Sequence, residues 1–486
     1  MCSSDLALSE VASPQEEAEI RLRLPTLNTH STQRRVAENR RALQLNDISD
    51  VTRARHLAWL AYNLAYHDQR GQRRAAANEA AAAAASTGDL ESKIVADVAL
   101  ALLDSGEGYA SRAVRRLEEL CALARTSDAT AARDFAYALL LAVVGRLDDA
   151  AAQAADGTEQ ARRERNAMAL DIWAALDGLA QLAAGRLSAA RAAAESLPPP
   201  ARTAVTERDM IRIVILAEVA ARTDDRNLLQ QMVSDAHDAY PAGSTVVRWV
   251  AAHVLALAAW QRDDVQDATR WLGDVTVFVS PLWPQVLDRV ILSARVASAA
   301  GDAGLRARVL QATDLLERER PTIPLFTGVA GHARGILERD AQALLAAADM
   351  LHASSRPLLY AAAAEDAGGQ LAHTDHPDKA LDQLNAAFDT YLHHEALADA
   401  RRVGRELRRL GVERRIVSPR VKKGWDSLTD SELKVVHLIA EGVTNRDVAA
   451  QLHLSLHTVK THVHNAFAKL GINSRAQLTQ LMRGSD

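Results

Sequence analysis

The side chains best suited to recognition in this 486-residue chain stand close together near its C-terminal end: Lys460, Thr461, His464 and Asn465. Val459, Val463, Ala466, Phe467 and Leu470 interleave with them at helical spacing, so an apolar stripe faces inward and the polar residues face outward. One cation and several hydrogen-bond donors on the open side of a helix can enter a DNA major groove and meet base edges there. An ordinary solvated face is the plainer reading. The histidines His453, His457, His462 and His464 suggest a metal at first sight. Their ring directions diverge around the helix and no cysteine lies nearby, so no zinc site is expected.

The elements that must hold this helix are signalled at their ends. Thr444 opens a helix over residues 444–452 and Ser455 another over 455–470, separated only by a tight turn at His453 and Leu454. That is helix-turn-helix spacing. Thr429 with Glu432 and Ser474 with Gln477 form capping boxes for helices on either side, and Gly442 and Gly471 stand where left-handed residues end them. Leu428 with Leu433, Val443 with Val448 and Leu454 with Val459 have the spacing of hydrophobic staples.

These stretches resemble a known family. Leu428-Thr-Asp-Ser-Glu-Leu, Ala440-Glu-Gly-Val-Thr-Asn, Leu454-Ser-Leu-His-Thr-Val-Lys-Thr-His-Val and Lys469-Leu-Gly-Ile-Asn-Ser-Arg are similar to the LuxR-type helix-turn-helix, across residues 425–486. The resemblance implies that the second and third helices bind DNA and that the fourth makes a dimer contact. By position, Lys460, Thr461 and His464 would face base edges, while Thr444, Asn445, Ser455 and Thr458 would touch phosphates or cap helices. Asn465 and Lys469 complete the candidate DNA-binding set. His464 departs from the longer basic or polar side chain usual at its position.

The remainder of the chain has another character. The full chain is 48% hydrophobic but only 4% aromatic, and with alanine runs such as 75–85 this remainder reads as a large helical region with small side chains at its contacts. Turn-like positions recur at Gly71, Gly108, Gly145, Gly185, Asp224, Asp263, Gly301, Asp340 and Asp375, and several carry an alanine five residues on: Ala76, Ala113, Ala150, Ala190, Ala268 and Ala380. Self-similarity of this kind implies helical hairpins that cannot bury their apolar faces alone and so stack into a solenoid with a concave groove. The pattern resembles tetratricopeptide-type repeats with a longer, looser period. The expected fold is all-α, with a poorly defined segment 1–30, a repeat domain 31–410, a basic linker 411–424 and the helix-turn-helix domain 425–486.

Net charge is −5, so the chain as a whole is no polyelectrolyte and any nucleic-acid affinity is local. From Arg401 to Lys423 ten Lys or Arg residues face two acids, Glu406 and Glu413, and this joint adjoins a reader whose six cations and six acids balance. It is expected to add non-specific phosphate attraction. Two cysteines, Cys2 and Cys121, give no disulfide framework. The longest apolar stretch, 135–144, is too short to span a bilayer, and a cytoplasmic protein is expected.

No Gly-x-x-x-x-Gly-Lys-Ser/Thr phosphate cradle, nucleophile elbow or Cys-x-x-Cys pair occurs, and His394-Glu395 lacks the second histidine of a zinc protease. Catalysis and cofactors are not expected. The region before the reader resembles the C-terminal half of the large ATP-binding LuxR regulators, without the ATPase. The reading is therefore a DNA-binding transcriptional regulator, acting as a homodimer on promoter DNA, with an unknown ligand or protein in the repeat groove and RNA polymerase as a further candidate partner. The alternatives are a repeat-based scaffold or adaptor, or a fragment of a larger ATP-dependent regulator.

Overall fold

The computed structural model divides the chain into two compact units, Met1–Arg414 and Arg415–Asp486, each described by itself. It describes residues 13–26, 32–65, 70–121, 128–199, 206–241, 244–273, 283–373 and 377–414 of the first, and 428, 430–452, 454–470, 472, 474–475, 477–478 and 481 of the second. Every regular element among them is a helix.

The first unit is a stack of helical hairpins. From Leu90–Gly106 onward a helix buried on most sides alternates with a more amphipathic partner, and each packs on its neighbours in sequence. The hairpins turn where the sequence places left-handed residues: Gly108, Gly145, Gly185, Asp224, Asp263 and Gly301 all have positive φ, from 58° to 91°. Aspartate tolerates that conformation better than most residues with a side chain. The expected alanines lie in the hairpin seams: Ala113, Ala150, Ala190, Ala268 and Ala380 are wholly buried, and Ala76 is half-buried. Two of the nine expected turns differ. Gly71 lies inside Arg70–Thr87, where the helix preference of the following alanines outweighs one glycine. Asp340 caps Ala341–His352, and Arg339 takes the left-handed conformation instead. Asp375 lies outside the described residues.

The stack also touches itself across some two hundred residues. Glu319 accepts the backbone N–H groups of Ser111 (2.7 Å) and Arg112 (2.9 Å), and Arg318 donates to the Glu107 carbonyl at 3.0 Å. Further along, the Ser355 hydroxyl donates to the Gly145 carbonyl, His394 Nδ1 lies 3.2 Å from the Gly185 carbonyl and the Ser188 hydroxyl donates to Glu395 at 2.6 Å. Arg401 completes the series on Asp224. Turn after turn meets a point about five hairpins later, so the winding closes on itself. The His394-Glu395 pair thus serves these contacts.

An ionic network, in large part buried, joins the inner helices on this stretch. Arg222 meets Asp288 at 3.2 Å and Glu218 at 3.4 Å, and Glu218 lies 2.7 Å from His253 Nε2. Arg356 donates to Asp288 at 2.6 Å, and Arg295 to Asp366 at 2.9 Å. Arg402 grips Glu365 through two bonds, 2.6 and 2.7 Å, while the Tyr391 hydroxyl donates to the same carboxylate at 2.9 Å. Burial alone would raise the Asp366 carboxyl, but Arg295 and His332 pull it down to about 2.

Two expected boundaries change. Within the segment expected to be poorly defined, Pro14–Thr26 is a helix, with Ser13 accepting the Glu16 N–H at 3.2 Å and acids in its first turn. It is held by fully buried Ala18 and by Arg21, which pairs with Glu17 and Glu38. At the other end, Arg414 of the expected linker belongs to the first unit: it donates to Asn385 at 2.7 Å, pairs with Asp389 and lies over the Phe388 ring. Arg401, Arg402 and Arg409 are also engaged within the stack. Of the other joint cations, Arg405 and Arg408 lie in the helix Leu397–Arg409, and Arg415, Arg420, Lys422 and Lys423 lie outside the described residues.

Candidate nucleic-acid interface

Among the described residues, the helices Asp430–Ala440, Asn445–Gln451 and Leu456–Leu470 build the second unit. Arg475, Gln477, Leu478 and Leu481 are helical beyond them. Val435, Val436, Ile439, Val448, Ala449, Val459, Ala466 and Leu478 form one buried cluster, against which Leu428, Val443, Leu454, Val463, Phe467 and Leu470 pack. So small a core fixes the rotation of the long helix about its axis. With Val459 and Ala466 fully buried, Lys460 is exposed and Thr461 and Asn465 are half-buried on the remaining surface.

Caps set where each helix begins. The Thr444 hydroxyl accepts the Asp447 N–H at 3.3 Å and donates to the Asp447 carboxylate at 2.6 Å. Ser455 accepts the Thr458 N–H at 3.0 Å, and the two hydroxyls share a hydrogen bond of 2.7 Å. Gly442, at φ 90°, ends the first helix, with the Val443 N–H returning to the Leu438 carbonyl at 3.0 Å. Ser474 accepts the Gln477 N–H at 3.3 Å. Thr429, His453 and Gly471 lie outside the described residues, as do the side chains of His464 and Lys469.

The turn between the second and third helices is closed by the Leu454 N–H on the Ala449 carbonyl at 2.9 Å. Thr444, Ser455 and Lys460 are exposed; Asn445 and Thr458 are half-buried. Thr444 and Ser455 stand at the starts of the paired helices, where N–H groups and the helix dipole favour an anionic phosphate. Arg475 adds a contact the sequence did not single out. Its guanidinium donates to the Val443 carbonyl at 3.1 Å and to Asn445 Oδ1, binding the end of the chain to the start of the second helix. Arg446 is exposed at that same start.

This arrangement, two short helices joined by a tight turn with a polar face on the longer one, is a helix-turn-helix. Residues 426–482 match the family described as bacterial regulatory proteins, luxR family, so the C-terminal unit is a LuxR-type helix-turn-helix domain. The chain is 28% identical over 303 residues to proteins of Mycobacterium tuberculosis and Mycobacterium bovis that carry the description HTH-type transcriptional regulator, a match covering 62% of this chain and 29% of theirs. An alignment of that length reaches well into the hairpin stack, because the second unit holds only residues 415–486. The chain spans under a third of the length of those relatives. Over 56 residues it is 48% identical to a nitrate/nitrite response regulator homolog of Haemophilus influenzae, 12% of this chain and 27% of that one. Over 52 residues it is 44% identical to the transcriptional regulatory protein LiaR of Bacillus subtilis, 11% and 25% respectively. Among the described residues no helix is long and apolar enough to cross a membrane.

Proposed function

We propose that this protein is a cytoplasmic, non-enzymatic transcriptional regulator that binds promoter DNA through its second unit and receives a ligand or protein signal in its hairpin stack. The observation that carries the reading is the exposed Lys460 on a helix whose opposite side, Val459 and Ala466, is wholly buried. Lys460, Thr461 and His464 meet base edges, with Asn465 on the same face, while Thr444, Asn445, Ser455 and Thr458 meet phosphates or hold the caps, and Lys469 completes the DNA-binding set. Dimerisation on DNA is supported by Leu481, which stands exposed near the end of the chain. RNA polymerase is a further partner.

Fluorescence anisotropy of the full chain tests the DNA reading, using sites selected from a random duplex library. Lys460→Ala should weaken binding to the selected site by about 1 to 3 kcal/mol and relax its sequence preference. Affinities of the variant for the selected site and for the scrambled site that each equal the parent's would remove Lys460 from the interface.

A further inference from the structure

The ionic network inside the first unit is incomplete at one place. A cavity of about 70 Å³ opens among the inner helices Glu207–Thr223, Thr245–Gln261, Gln285–Ala300, Pro357–Leu371 and Leu397–Arg409. Its apolar wall includes Leu257, Trp260, Ile291, Leu292, Leu359 and Ala362. Its charged wall is balanced: Glu218, Asp288 and Asp399 against Arg222, Arg295 and Arg402.

Within that wall, specific atoms lack partners. Asp399 is 5% exposed; its Oδ1 lies 2.7 Å from Arg402, whereas its Oδ2 is 3.7 Å from Arg222 and accepts no hydrogen bond. Arg222 Nε is 3.4 Å from Glu218 yet donates no hydrogen bond, and His253 Nδ1, on a ring 1% exposed, has no partner. Arg222, His253 and Asp399, which all line this space, thus each carry a buried polar atom without a hydrogen-bond partner, and each such atom costs stability.

The charge balance limits what can fill it. A lone anion or cation would bring an uncompensated charge into a buried site, which is strongly unfavourable. A molecule bearing both signs adds none. Size limits it further: at roughly 10 to 15 Å³ for each water-sized occupant, the cavity holds about five or six non-hydrogen atoms. We propose that it binds a small α-amino acid of the size of glycine or alanine, with its carboxylate on Arg222, its ammonium on Asp399 and its side chain against Leu292 and Ala362. The ligand bridges Glu207–Thr223 to Leu397–Arg409, the last helix of the first unit, and so tightens the element from which the chain leaves the stack. This deepens the proposed signal-receiving role of the stack and rests on it.

The test is calorimetry and thermal unfolding of the full chain without DNA, so that failure here leaves the DNA reading standing. Probes are glycine and L-alanine, with propionate, ethylamine and glycerol as single-charge and neutral analogues. Glycine or L-alanine should bind with saturating heat, raise Tm and change Trp260 fluorescence, whereas the analogues should do none of these. Ala362→Leu fills the space and should keep helix content while abolishing the Tm shift; Leu257→Phe narrows the same space from a half-buried position and serves if the first variant fails to fold. No binding of either amino acid, equal binding of an analogue, or undiminished binding in a folded variant would overturn the assignment.

Discussion

The self-contact of the hairpin stack makes a sharp prediction at Gly108. Its φ of 91° is left-handed, and a Cβ built there would lie 2.4 Å from the Leu315 carbonyl oxygen and 3.1 Å from Arg318 Cβ. Gly88 has φ 67° with nothing within 4 Å of the same added atom. The two glycines share the left-handed cost of a side chain, about 1 to 2 kcal/mol. Only Gly108 adds the clash, and a backbone oxygen cannot swing aside without moving the helix Ala303–Leu316. Overpacking of that kind costs about 1 to 3 kcal/mol, so Gly108→Ala should lose about 2 to 5 kcal/mol and Gly88→Ala about 1 to 2. Gly145→Ala should fall between, since its added Cβ meets the Leu325 Cδ2 methyl at 3.0 Å, a group that can rotate away. Urea unfolding of the full chain by circular dichroism measures the three losses, and small-angle scattering should show Gly108→Ala more extended. Losses for Gly108→Ala and Gly88→Ala that agree within about 0.5 kcal/mol would refute the closed winding.

Glu365→Ala removes the carboxylate shared by half-buried Arg402 and the Tyr391 hydroxyl, leaving Arg402 with Asp399, and should cost about 1 to 3 kcal/mol, while Glu159→Ala, whose pair with Arg163 is 52% and 71% exposed, should cost under about 1 kcal/mol; a similar loss for both would show that the network does not hold the stack. His56 is fully buried, and burial outweighs the pull of the Ala18 carbonyl to lower its pKa from 6.5 to about 4. Its folded pKa lies below its unfolded one, so the stability it confers is complete above pH 6.5 and lost as pH falls toward 4, up to about 3 kcal/mol. A pH titration of urea midpoints should show that loss and His56→Gln should flatten it; an unchanged profile in the variant would exclude His56 as its source. For the joint, Lys422→Gln with Lys423→Gln should lower the salt slope of DNA binding by about 0.9 for each phosphate no longer neutralised, whereas Arg409→Gln, already paired with Glu406, should leave it unchanged.

The helix-turn-helix was legible because its information is local. Ser455, Thr458 and Thr444 lie within a few residues of what they touch, and helical periodicity marks Val459 and Ala466 as inward, so spacing alone gave caps, turn and buried side. Arg475 was not legible: it reaches Asn445 across 30 residues, and nothing near it in sequence announces that.

For the stack, the sequence by itself determined helices, turns and the alanine seams, since Gly108, Gly145, Gly185, Asp224, Asp263 and Gly301 act on backbone geometry within one hairpin. The tertiary structure decided what those hairpins enclose. Glu319 on Ser111, Glu395 on Ser188 and Arg401 on Asp224 are brought together by small rotations accumulated over many hairpins, and so is the ring of charge around Asp399. A rotation that is slight at each step, and set by side-chain packing, leaves no periodic mark in the sequence. Summed along the chain, it brings turns some two hundred residues apart into contact and gives the stack a charged interior.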